Sequence, residues 1–205
     1  MKKMIRYKII DNFLSNRDYS DLMNNIFPTP INSIKTGGIG WEYANAQELQ
    51  ATHEEPEKRF KEVTDIELLG PMRDWYFHHL FQYGGYQSQF LHYLGALLTK
   101  IDYLALWRIQ ANFTVQQEKI RGRSPFHIDY SAEPMRHTSM ITSIYYVNTT
   151  NGPTILEDGT EIECRANRLV SYPYDTYHAG VTCTDQPFRI VINLNYFKEM
   201  NELYE

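Results

Sequence analysis

From Tyr103 onward the chain alternates short runs of β-branched and aromatic residues with turn-forming residues, and few folds accommodate that texture. The runs cover 104–115, 125–130, 139–148, 153–157, 160–164, 168–173, 177–182 and 188–197. Eight short strands of this kind, following a helical layer, predict a jelly roll: a double-stranded β-helix of two facing sheets, cupin-like in outline. The run Glu157-Asp158-Gly159-Thr160 marks a hairpin between two of the strands, since Asp-Gly suits a type I′ turn. Sixteen Tyr and ten Phe agree with a β-rich fold, because flat rings pack well on a pleated surface.

The first hundred residues read as mainly helical. A short strand over 7–10 precedes a helix capped by Ser15 or Asn16 and running through Phe27. Pro28 and Pro30 end it, because proline lacks the helix donor. Gly37, Gly38 and Gly40 mark a loop around Trp41, a candidate lid, and 44–58 reads as irregular. A helix is expected over 58–68, a short segment from Pro71 through Phe81, and an amphipathic helix over 87–101, where Phe90, Leu91, Leu94, Leu97, Leu98 and Ile101 recur at helical spacing. The fold class is therefore α+β, mainly β. The 205 residues form a single domain, with 1–102 as helical support and 103–197 as the jelly-roll core.

Within the strand-rich half, His127 and Asp129 stand two apart. On a strand they point to one face, so an imidazole and a carboxylate converge. His178 supplies a third donor of matching type. Two imidazoles and one carboxylate on one side of an ion leave the opposite positions open, an arrangement suited to non-haem Fe(II) oxygenases. The other histidines fit worse. His78, His79 and His92 lie in sequence read as helical and serve packing, and His53 and His137 lie in polar loops.

Eleven residues after His178, Arg189 begins an alternating strand. Arg189, Val191, Asn193 and Asn195 share one face; Ile190, Ile192 and Leu194 share the other. An arginine on the polar face of a core strand requires an anion, and its planar fork suits a carboxylate. On another strand Ile144, Tyr146 and Asn148 share a face, so the Tyr146 hydroxyl could add a donor to the same anion.

The net charge of −5 disfavours a broad nucleic-acid interface, although Lys119, Arg121 and Arg123 make a local basic patch. Two cysteines, Cys164 and Cys183, cannot build a disulfide scaffold, and free thiols in a reducing compartment are expected. The N-terminus makes a poor signal peptide and no run is long enough for a membrane span, which points to a cytoplasmic protein.

Taken in order, "HID", "TSIYYVN", "NGPT", "NRLVSYPYDTYHAG" and "FRIVINLNYF" resemble the 2-oxoglutarate and Fe(II)-dependent dioxygenases, particularly the prolyl 4-hydroxylase-like branch, over roughly 104–197. "QFLH" and "RIQANF" are similar to small phage-encoded and bacterial members. The resemblance implies that His127, Asp129 and His178 bind Fe(II) and that Arg189 and Tyr146 hold the distal carboxylate of 2-oxoglutarate. It implies that Asn112 contacts this cosubstrate and that Ile144 and Thr154 line its pocket. Dioxygen is then the second cosubstrate, ascorbate a reductant, and the substrate a small molecule or an amino-acid side chain of a peptide. Two departures bear on substrate: a longer loop from Val115 to Ser124, and Asn151-Gly152-Pro153 where many relatives carry two glycines. Two rivals remain open: a metalloenzyme using its ion as a Lewis acid without 2-oxoglutarate, and a non-catalytic jelly-roll binding module.

Overall fold

The architecture follows from alternation in the longest strands, whose two faces differ in polarity. The computed structural model describes residues 5–26, 39–45, 75–117, 123–129 and 140–198. Its elements are β1 (Lys8–Ile10), α1 (Asn16–Ile26), β2 (Glu42–Asn45), β3 (Trp75–Tyr83), β4 (Tyr86–Gln87), a 3-10 turn (Leu91–Leu94), α2 (Gly95–Ile101), β5 (Ala105–Val115), β6 (Met140–Tyr146), β7 (Thr154–Leu156), β8 (Glu161–Ile162), β9 (Arg168–Pro173), β10 (His178–Gly180) and β11 (Phe188–Phe197). The large sheet runs β1-β9-β6-β11-β5-β3-β2, with β4 added to β3, and the small sheet runs β10-β7-β8. Every pairing is antiparallel.

One face of the large sheet presents Ile109, Ala111, Tyr145, Leu169, Ile190, Ile192 and Leu194. These pack with Leu22 and Ile26 of α1 and with Leu94, Leu97 and Ile101. Each such fully buried side chain contributes roughly 1.5–3 kcal/mol. The other face turns toward the small sheet. There Ile144, Tyr146, Val170, Tyr172 and Val191 meet Leu156, Ile162 and Cys164. The fold is the expected jelly roll, with its helices on the outer face of the large sheet.

The N-terminal region differs from its reading. Among the described residues four strands, β1 to β4, precede residue 103, and three of them extend the large sheet on the β5 side. The stretch from Pro71 through Phe81 is described from Trp75, and it is strand, so His78 and His79 lie on a sheet and not on a helix. Its aromatic run suits a pleated surface, and pairing with β5 settles the choice. The helix expected over 87–101 begins only at Gly95. Tyr86 and Gln87 pair back on β3 through a tight turn at Gly84, whose φ is 55°. Ser15 does cap α1, accepting from the Asp18 amide at 3.2 Å. The 157–160 hairpin is present, but with a three-residue loop. Gly159 alone takes a positive φ (87°), and the Leu156 amide reaches the Thr160 carbonyl at 2.9 Å, whereas a type I′ turn needs two positive φ values. The helix expected over 58–68, the prolines at 28 and 30, the glycines at 37 and 38, and His53, Lys119, Arg121, Tyr130 and His137 lie outside the described residues. Among the described residues no helix is long and apolar enough to cross a membrane. Cys164 and Cys183 are buried free thiols.

Candidate metal centre and adjoining cavity

His127 and Asp129 do not lie on a strand. Pro125 offers no amide, and pairing here shrinks to two isolated bridges, Arg123 with Val181 and His127 with His178, the His127 and His178 amides each bonding the other's carbonyl at 3.0 Å. The second bridge brings the two imidazoles together, with ring centroids 4.7 Å apart. The Nε2 atoms of His127 and His178 lie 3.9 and 3.8 Å from Asp129 Oδ1. Ligand atoms of all three residues fall within 4.8 Å of one another.

The local hydrogen bonds assign the protons. His127 Nδ1 bonds the Pro125 carbonyl at 2.9 Å, and His178 Nδ1 bonds that of Thr176 at 3.2 Å. A carbonyl only accepts, so each Nδ1 carries hydrogen and each Nε2 offers a lone pair. His178 Nε2 is buried without a hydrogen-bond partner. Burial, aided by the neighbouring His178 imidazole, pushes the His127 pKa down to about 4, so its ring stays neutral in ordinary buffers. Burial alone would raise Asp129. His178, Arg108 and His127, with the Asn195 amide, more than offset it and hold the carboxyl below its usual range. Two imidazoles that turn Nε2 toward the same place, one ionised carboxylate and a buried His178 Nε2 without a partner among the described residues fit a divalent cation.

Asp129 is itself oriented. Asn195 Nδ2 donates to Asp129 Oδ2 and to Thr142 Oγ1, each at 3.0 Å. The sequence placed Asn195 on the polar face of its strand but gave no sign of this role. Strand register supplies it, setting Asn195 between Thr142 of β6 and Arg108 of β5.

The three residues line a cavity of about 320 Å³, whose wall also includes Asn112, Ile144, Thr154, Arg189 and Val191. Arg189 is buried. Its Nε donates to the Gly152 carbonyl at 2.8 Å and its NH2 to Thr154 Oγ1 at 3.1 Å, and its guanidinium carbon lies 5.7 Å from the Tyr146 ring centroid. No carboxylate pairs with it among the described residues. The Gly152 carbonyl gets there because glycine packs where a Cβ would meet the Val181 carbonyl oxygen at 2.4 Å. Tyr146 does not reach the cavity wall directly: its hydroxyl donates to Thr154 Oγ1 at 2.8 Å. Thr154 thus accepts from both Tyr146 and Arg189 and keeps its own O–H for another acceptor.

Along β5 the cavity-facing side chains form a relay whose direction is fixed. Arg108 only donates, so Gln110 turns its oxygen to Arg108 NH2 at 2.5 Å. Its nitrogen then donates to Asn112 Oδ1 at 2.7 Å, which leaves the Asn112 NH2 as a donor. Trp41 packs on Phe113, ring centroids 5.4 Å apart, on the opposite, apolar face of β5.

No family model matches the sequence, and no curated protein matches it. Solved structures do share the fold. A 2OG-Fe(II) oxygenase family oxidoreductase from Burkholderia pseudomallei superposes with a TM-score of 0.54 at 9% identity, over 94% of this chain and 85% of that one. SnoN, a non-heme alpha-ketoglutarate-dependent epimerase from nogalamycin biosynthesis, gives 0.52 at 12% identity, over 95% and 79%. The viral collagen prolyl hydroxylase of Paramecium bursaria Chlorella virus-1, solved as its 2OG complex, gives 0.49 at 14% identity, over 92% and 94%. The first two establish that the chain has the fold of 2-oxoglutarate-dependent oxygenases.

Proposed function

We propose that this chain is an Fe(II)- and 2-oxoglutarate-dependent oxygenase that hydroxylates a small molecule or an amino-acid side chain of a peptide, peptidyl proline included. One observation carries the reading. A cluster of two imidazoles and a carboxylate lines one cavity, and that cavity also holds a buried guanidinium with no carboxylate partner among the described residues.

When bound, iron supplies the activation of dioxygen that no protein side chain can provide. In the overall balance one oxygen atom enters the substrate and the other enters succinate, as 2-oxoglutarate loses carbon dioxide. The protein's part is positional. His127 and His178 offer Nε2 lone pairs, and their carbonyl-bonded Nδ1 atoms keep the rings from turning. Asn195 holds one Asp129 oxygen and leaves the other facing the imidazoles. Arg189 fixes the far carboxylate of the diacid, with Thr154 held ready by Tyr146. The Asn112 NH2 is a donor for the near end. Ile144 and Val191 keep that part of the wall apolar.

The test is turnover and binding together. Protein with Fe(II), ascorbate, dioxygen and 2-oxoglutarate should release succinate, slowly without substrate. In the presence of redox-silent Zn(II) it should bind 2-oxoglutarate. Failure of both removes the reading; Zn(II) binding without 2-oxoglutarate binding favours the Lewis-acid rival.

A further inference from the structure

The cosubstrate reading uses Arg189 and leaves a second guanidinium in the same cavity. Arg108 lies on the cavity wall, its side chain 24% exposed. One of its nitrogens donates to Gln110. NH1 sits 3.9 Å from Asp129 Oδ1, too long for a hydrogen bond. Among the described residues the remainder of the fork has no partner.

Charge makes this consequential. Once the site is loaded, a divalent cation, a diacid, Asp129 and Arg189 balance one another, with both imidazoles neutral. Arg108, whose nearest carboxylate is the Asp129 already counted, then leaves the loaded cavity with one positive charge in excess among the described residues. The rest of that wall is uncharged: Tyr76, Gln110, Asn112, Thr114 and Asn193. Gln110 and Asn112 cannot serve as counter-ions, and the relay points their amide N–H groups away from Arg108. A partly buried, half-used guanidinium fork favours a planar anion.

We propose that Arg108 receives a carboxylate of the primary substrate, so that the substrate is a small carboxylic acid oxidised at a carbon near that group. The inference rests on the oxygenase reading. Nearness follows from NH1 lying 3.9 Å from a candidate metal ligand. A cavity of about 320 Å³ shared with the diacid leaves room beside Arg108 for a small acid.

The experiment uses the full chain loaded with Zn(II) and saturating 2-oxoglutarate. The probes are N-acetyl-L-proline, pyroglutamate and 3-phenylpropanoate, each paired with its primary amide, with binding read by saturation-transfer NMR and calorimetry. Wild-type protein should bind at least one acid more tightly than its amide. Arg108→Gln should shrink that preference by roughly tenfold to a hundredfold, the worth of hydrogen bonds to a charged group. Arg108→Lys should keep part of it. Zn(II) and 2-oxoglutarate affinities are measured on the same samples to read separately what Arg108 gives Asp129 and the Gln110–Asn112 relay, and the acid–amide preference is compared with both sites saturated in each protein. The proposal is overturned if no acid binds up to millimolar concentration, if acid and amide bind alike, or if the preference survives in Arg108→Gln. Should 2-oxoglutarate itself fail to bind, the oxygenase reading falls first, and the acid–amide comparison with Zn(II) alone still decides the role of Arg108.

Discussion

Replacing Arg189 with methionine separates an arginine kept for a ligand from one kept for the fold. Methionine fills similar space and carries no charge. In the ligand-free protein the change removes donated bonds to Gly152 and Thr154. Bonds from a charged donor are worth about 1.5–3 kcal/mol each. The change also removes a buried cation without a carboxylate partner, and holding such a cation out of water costs several kcal/mol. The two effects nearly cancel, so Arg189→Met should fall within about 2 kcal/mol of wild type. An arginine in a structural buried ion pair would instead cost about 3–5 kcal/mol when its partner is stranded.

Ligand response gives the opposite pattern. At about 100 times Kd, 2-oxoglutarate should stabilise the Zn(II)-loaded wild type by about 2.7 kcal/mol. For a chain of this length that raises Tm by roughly 5–11 °C. Arg189→Met should keep the Zn(II)-induced rise and lose the 2-oxoglutarate-induced one. Thermal melts of both proteins, bare, with Zn(II), and with Zn(II) plus 2-oxoglutarate, make the comparison. A bare variant destabilised by more than about 4 kcal/mol, or one still responding fully to 2-oxoglutarate, would refute the reasoning.

Three further outcomes are expected. Gly152→Ala forces a Cβ onto the Val181 and Thr182 carbonyl oxygens and drags the Gly152 carbonyl from Arg189, so it should cost about 1–3 kcal/mol of stability and weaken 2-oxoglutarate binding at least tenfold; unchanged calorimetry would contradict this. Asn195→Ala frees Asp129 and should lower Zn(II) affinity roughly tenfold to a hundredfold in a chelator competition, with α1 and the large sheet intact by circular dichroism; undiminished affinity would show that Asp129 needs no orientation. In acid, the unfolded His127 takes up a proton near pH 6.5 while the folded ring resists until about 4, so the unfolded state binds more protons in that window and stability falls as pH drops through it. The His127 ring, followed by NMR in the metal-free protein, should therefore protonate well below pH 6.5, and a midpoint at the ordinary imidazole value would disprove the depression.

Most strands after residue 103 were legible because apolar runs are bounded there by turn residues; the one expected over 125–130 is not a strand in its described residues, where only an isolated bridge forms at His127. The strand expected over 168–173 matches β9, and that over 188–197 matches β11. His178 and Arg189 lie on strands, where a ligating or charged residue must look inward or outward, whereas His127 and Asp129 were read on a strand and lie off one, so that the bridge from His127 to His178 brings them to the same place. The strand β3 was not legible. Tyr76, Phe77, His78, His79 and Leu80 satisfy a strand and a helix about equally, and only the partner strand β5 decides. Asn195 and Arg108 were hidden more deeply. Nothing local distinguishes them from other polar residues on alternating strands; the β5–β11 register, with a bulge just past Asn195, puts them opposite one another.

That register also explains why the sheet tolerates a polar interior. Its outer face is closed by apolar contacts with the helices, so the fold is secured there. The inner face can then carry atoms that the ligand-free protein leaves unsatisfied: His178 Nε2, Asn193 Oδ1, Asn195 Oδ1 and the Tyr172 hydroxyl are all buried without a partner. Each costs about 1–3 kcal/mol. Scattered through a core, such atoms would be defects. Here Asn193 and Asn195 alternate on β11 beside Ile144 and Thr142 of β6, and Tyr172 sits opposite Thr142 on β9 with its ring 5.3 Å from that of His178. Of these, His178 and Asn193 line the cavity, and Asn195 bonds the Asp129 that lines it too. A fold that puts unmet polar atoms, an arginine without a carboxylate partner among the described residues and three side chains suited to a cation around one cavity gains stability when a ligand satisfies them.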